Sequence, residues 1–138
     1  MGRLLAIDYG TKRVGIAVTD PLQIIATGLE NVPTKEIFAF LQKYCSQEPV
    51  DAFIIGQPLQ MSGEASQSAQ HVVGFSRQLK KLFPHLPIHW VDERFTSKMA
   101  EKTILESGFK KTDRKDKSRV DVIAATIILQ YYMEKNRY

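Results

Sequence analysis

Residues 3–20 read RLLAIDYGTKRVGIAVTD, and this stretch decides the fold. Arg3 to Asp8 is a short apolar run ending on an acid. Arg13 to Asp20 is a second run with enough β-branched residues to form a strand, and Gly10-Thr11-Lys12 supplies the turn between them. Pro21 breaks the second strand. A third strand is expected over about Ile25 to Val32, which completes an antiparallel meander.

Beyond the meander the periodicity changes. Ile37, Phe38, Leu41, Tyr44 and Cys45 recur at helical spacing, with Thr34 as the expected N-cap and Glu48-Pro49 as the stop. Ala52 to Gly56 (AFIIG) is a continuous apolar run suited to a strand buried on both faces, beside the first strand. Ala69, Val72, Val73, Ser76, Leu79 and Phe83 mark a second helical stripe, ended by Pro84 and Pro87. Ile88 to Val91 predicts a fifth strand. A helix with Met99, Ala100, Ile104 and Leu105, capped at Gly108, should follow it, and the last helix should span about Ser118 to Met133. The order β-β-β-α-β-α-β-α-α with right-handed crossovers predicts an α/β fold: a mixed five-stranded sheet in the order 3-2-1-4-5, with helices on both faces.

The 138 residues fit a single domain over 1–138, and 43% hydrophobic with 25% charged residues is ordinary globular usage. No apolar run reaches the roughly 18 residues of a membrane span, and MGRLLAIDYG does not read as a signal peptide. The lone Cys45 has no partner for an intramolecular disulfide and sits on an apolar stripe as a packed thiol, so a cytoplasmic, reducing location is expected. The net charge of +4 is concentrated in residues 110–119 (KKTDRKDKSR), which carry six basic and two acidic side chains and leave 13 of each sign elsewhere. Lys110, Lys111, Arg114, Lys115, Lys117 and Arg119 thus form a candidate grip on a phosphate backbone, although a solvated charged loop has the same composition.

Three acids stand where packing would not choose them. Asp8 ends the first strand, Glu93 follows the fifth, and Asp121 lies inside the last helix at a spacing shared with Ala124, Ala125 and Ile128. The carboxyl ends of parallel strands form the crevice of an open α/β sheet, so Asp8 and Glu93 should meet there. Asp121 should be directed inward from the helix, whose small alanines permit close approach. Each acid alone could cap a turn or a helix. Together they favour a cage for a hard divalent cation, Mg²⁺ or Mn²⁺, which takes carboxylate and phosphate oxygens and supports phosphodiester hydrolysis. Lys12 and Arg94 are candidate phosphate contacts. His71, His85 and His89 lack zinc spacing. Trp90, Tyr131 and Tyr132 read first as packing residues, Trp90 with a base-stacking role as the alternative.

Four blocks, LAIDYGTKRVGIAVTD, IIGQPLQMSG, VDERFTS and RVDVIAATIILQYY, resemble the YqgF (RuvX) family over nearly the whole chain. That resemblance implies an RNase H-like fold, kinship with Holliday junction resolvases and a pre-16S rRNA nuclease role in ribosome biogenesis. It also implies Asp8, Glu93 and Asp121 as the acidic positions, Mg²⁺ or Mn²⁺ as cofactor, and structured nucleic acid, pre-rRNA or branched DNA, as substrate. Ribosomal particles are possible partners, and the protein would act as monomer or homodimer. Gly56, Pro58, Met61 and Gly63 match the family as a strand-end turn opening a loop over the crevice. Related resolvases carry a second acid in the final helix. Here Val122, Ile123, Ala124 and Ala125 follow Asp121, so a fourth carboxylate would have to be Asp116 or Asp92.

Two rivals differ in class. Asp-x-Gly-Thr followed by an apolar strand also resembles the phosphate-binding hairpin of actin-like and hexokinase-like ATPases, which need two such domains where 138 residues supply one. A non-catalytic nucleic-acid or ribosome-binding module would use the basic segment alone and show salt-dependent binding without cleavage.

Overall fold

A computed structural model describes residues 2–58, 69–94, 96 and 117–136, with backbone only for 117–119. Strands β1 (Arg3–Tyr9), β2 (Arg13–Thr19) and β3 (Ala26–Pro33) form the meander. A 3-10 turn (Thr34–Glu36) leads into α1 (Ile37–Gln47), then β4 (Val50–Gln57), α2 (Ala69–Leu82), β5 (Ile88–Asp92) and α3 (Lys117–Lys135). The sheet order is β3-β2-β1-β4-β5, as the pattern predicts, with β1 antiparallel to β2 and parallel to β4.

Period-two alternation divides the core between the two faces of the sheet. Leu5, Ile7, Val14, Ile16, Phe53 and Ile55 point to one face and pack with Ile37 and Leu41 of α1 and Val72, Phe75 and Leu79 of α2. Leu4, Ala6, Ala17, Ala52, Ile54 and Val91 point to the other, where Ala125, Ile128 and Leu129 of α3 cover them. Three of the six strand residues on the second face are alanines. Their short side chains bring α3 close to the sheet, so the smallness expected on the helix is shared by the strands beneath it.

The structure departs from the sequence pattern at several places. Thr34 does not cap α1: its hydroxyl donates to the Gly10 carbonyl at 2.6 Å, and α1 starts without a side-chain cap. Val73 is 37% exposed, because two adjacent residues on a helix point about 100° apart and Val72 takes the inward position. Trp90 is 40% exposed, since β5 is a sheet edge, and is not a core residue. Gly56 lies within β4, opposite Val91, and not in a turn. Cys45 is half-buried against the α1/α2 core, and Tyr131 and Tyr132 pack on the α3 side. The helix expected around Met99 to Gly108 lies outside the described residues. Among the described residues no helix is long and apolar enough to cross a membrane.

Candidate active site

The sheet register places five residues in one row across the α3 face. Asn31 on β3 pairs with Gly15 on β2, and Gly15 pairs with Asp8 on β1. Ile7 pairs with Ile55, so the following residues Asp8 and Gly56 are neighbours, and Gly56 pairs with Val91 on β5. Asp8 therefore stands between two glycines, and each glycine makes room for another acid. A Cβ at Gly15 would land on the backbone of Asp121, and one at Gly56 would land on the Glu93 carboxylate and the Ile128 side chain. Glu93 opens a helical turn directly after β5 ends at Asp92.

Asp8 and Glu93 meet through a carboxyl–carboxyl hydrogen bond. Burial, then the charge and hydrogen bond of Glu93, then the charge of Asp121, push the Asp8 carboxyl well above its usual range. Burial also raises Glu93, opposed by its hydrogen bond with Asp8 and assisted by the charge of Asp92. The cause common to both shifts is burial, and carboxylates buried together are stable only when a proton or a cation joins them.

Asp121 is placed differently. Its Oδ2 accepts from Arg13 Nε at 2.8 Å and from Asn31 Nδ2 at 3.1 Å. Both donors lie on the α3 face of the sheet, at the start of β2 and near the end of β3. Among the described residues no three of His, Cys, Asp and Glu already converge as a metal cage, which agrees with Asp121 being engaged by Arg13 and Asn31. The donor set still suits a hard cation. Asp8, Glu93 and Asp121 offer only oxygens, they border one short row of the sheet, and the two glycines keep that row clear of side chains.

Of the other candidates, Arg94 donates to Asp92 at 2.5 and 2.9 Å, so its guanidinium is directed along the strand end. Lys12 is exposed in the β1–β2 connection, and Pro58 follows the end of β4. Lys117 and Arg119 fall in the first turn of α3, while Lys110, Lys111, Arg114, Lys115, Asp116, Met61 and Gly63 lie outside the described residues. His71 and His85 are exposed, and His89 stacks on Tyr132 at 5.3 Å. Arg13 and Asn31 were not legible as site residues in the sequence. Arg13 opens a strand beside the more obvious Lys12, and the only signal for Asn31 is a polar residue in an edge strand.

Comparison with known proteins shows the family and the fold. Residues 2–135 match the RuvX family model, described as Holliday junction resolvase. The chain is 55% identical over 138 residues, covering 100% of both chains, to a Bacteroides thetaiotaomicron protein named "Putative pre-16S rRNA nuclease". Proteins with the same name are 53% identical in Porphyromonas gingivalis, over 97% of each chain, and 49% identical in Flavobacterium johnsoniae, over 100% of each. Among solved structures, T. thermophilus RuvC in complex with Holliday junction substrate superposes with a TM-score of 0.62 at 16% identity, covering 98% of this chain and 96% of that one. At that identity the likeness is one of fold, the RNase H-like sheet.

Proposed function

The chain belongs to the RuvX family of Holliday junction resolvases and is a nuclease, and we propose that it cuts the precursor of 16S rRNA near its 5′ end with a divalent cation held by Asp8, Glu93 and Asp121. One observation carries the site assignment: Asp8 and Glu93 are pressed together in a row of the sheet that glycines clear, beneath the helix that bears Asp121. The rRNA substrate is supported by the names of relatives that match this chain end to end. Mg²⁺ or Mn²⁺ bound there would supply an activated water and stabilise the leaving oxygen.

The chain's own residues set the remaining conditions. Asp8, at the centre of the row, is joined to Glu93 and feels the charge of Asp121, and it must give up its proton before it can serve as a ligand. Glu93 approaches from the end of β5 and Asp121 from α3, so the acids would hold the cation from two sides and leave it open to the substrate phosphate. Lys12, exposed in the neighbouring turn, and the basic residues Lys110 to Arg119 supply backbone contacts. Gly56 within β4 and Pro58 just beyond it stand at the end of the sheet that carries Asp8, where they border the substrate path. Ribosomal particles are the natural setting for such a substrate.

The test compares a 5′ fragment of pre-16S rRNA and a four-way DNA junction, each with Mn²⁺ or EDTA, using wild type and Asp8→Asn. Cleavage of the rRNA that needs both Mn²⁺ and Asp8 is the expected result. Cleavage of the junction alone would transfer the activity to branched DNA. Salt-sensitive binding of either with no cutting would reduce the protein to a binding module.

A further inference from the structure

We propose that Arg13 is a positioning residue for Asp121: together with Asn31 it holds the carboxylate apart from the Asp8–Glu93 pair, and a divalent cation has to win Asp121 from it. The inference rests on the metal site proposed above and adds a residue that competes for one of its ligands.

Both donors converge on the same oxygen. Arg13 Nε reaches Asp121 Oδ2 at 2.8 Å and Asn31 Nδ2 reaches it at 3.1 Å. The backbone of Asp121 is fixed above Gly15, where the space for a Cβ is already filled, so the carboxylate is redirected by side-chain torsions and not by sliding the helix. Arg13 and Asn31 stand on two adjacent strands of one rigid sheet, which fixes the direction in which they draw Asp121. A guanidinium beside a carboxylate also gives that acid a positive partner without any metal. The ion pair is partly open to solvent, with side-chain exposures of 35% and 25%, and such a pair is weak enough for a divalent ion to displace.

The rival is a plain tie between α3 and β2 with no bearing on metal. Mn²⁺ binding to the metal-free, full-length protein, read from the electron paramagnetic resonance of free Mn²⁺ at one fixed pH, separates the two. Arg13→Gln should tighten Mn²⁺ binding about fivefold, the upper range for a partly exposed ion pair. Asn31→Ala, which changes no charge, should tighten it by a smaller factor. In an Asp121→Asn background neither change should alter the affinity. Equal or weaker binding by Arg13→Gln and Asn31→Ala overturns the proposal. So does an equal gain in the Asp121→Asn background, because that would be the through-space effect of a lost positive charge. Wild type that fails to bind Mn²⁺, or Asp8→Asn that binds it as wild type does, overturns the metal site and with it this inference. Wild-type binding that Asp8→Asn abolishes and Arg13→Gln leaves unchanged overturns the inference alone.

Discussion

Gly15 and Asp121 share one space: the backbone of Asp121 fills the position that a Cβ on residue 15 would occupy. The closeness of α3 to the sheet, and hence the reach of its acid toward Asp8, depends on that missing atom. Gly15→Ala should push α3 off the sheet and cost about 1–3 kcal/mol, the usual range for overpacking a filled site. Gly74→Ala is the control with the opposite sign. A Cβ there meets nothing within 4 Å, and α2 should gain about 0.5–1 kcal/mol from replacing glycine in a helix. Urea midpoints of the two variants, moving in opposite directions, check both.

The raised carboxyl of Asp8 makes the metal-free protein sensitive to pH. The fold favours its protonated form, so that stabilisation is fully present below the carboxyl's unfolded value of about 3.9 and is lost as pH rises through the higher folded value. In EDTA, the denaturation midpoint should therefore fall as pH rises toward neutral. Asp8→Asn should flatten that slope, and Mn²⁺ should restore wild-type stability at the upper end of the range.

Thr19 carries a buried hydrogen bond that a methyl group cannot replace. Its hydroxyl accepts from the Leu4 amide at 2.9 Å and donates to the Asp20 carbonyl at 2.9 Å, on a residue 1% exposed. Thr19→Val keeps the shape and strands the Leu4 N–H, which should cost about 1–3 kcal/mol. Thr19→Ser keeps the hydroxyl and should lose less, chiefly through the missing methyl. Thermal unfolding of the pair distinguishes lost hydrogen bonding from lost packing.

Asp20 organises the connection from β2 to β3. Its carboxylate accepts from the amides of Ile25 at 2.7 Å, Ile24 at 2.8 Å and Leu22 at 3.1 Å, and these bonds, led by that of Ile25, hold its carboxyl below the usual value. The order they impose is present above the ordinary carboxyl pKa and is lost as pH falls through the lowered one. Asp20→Ala should speed hydrogen exchange at Ile24 and Ile25 while leaving the amides of β1 and β4 protected.

The fold was legible because its signals are local. Gly-containing turns, β-branched runs and helical stripes identify the elements, and the handedness of crossovers orders them. Asp8, Glu93 and Asp121 were legible as candidates because each interrupts apolar surroundings. The row that joins them was not. Gly15 and Gly56 look like weak points in strands until the residues above them are known, and those come from positions 121 and 93. Arg13 and Asn31 are ordinary polar residues until α3 lies across β2 and β3. Thr34 had a local role to play at a helix start, but a tertiary partner, the Gly10 carbonyl, took its hydroxyl. Trp90 failed in the opposite way: alternation is genuine in β5, yet an edge strand has too little beyond it to bury so large a ring.

Arg13 and Asp121 are separated by 108 positions along the chain, and α3 alone supplies the third acid and the described cover of one whole face of the sheet. Synthesis delivers these parts in order. A chain still held by the ribosome just past β5, at residue 94, has Asp8 and Glu93 but neither Asp121 nor the helix that seats it, and it leaves Leu4, Ala6 and Ile54 without that helix. With the site as proposed, folding to completion and arming for cleavage are one event, so an unfinished or truncated copy is both sticky and catalytically harmless.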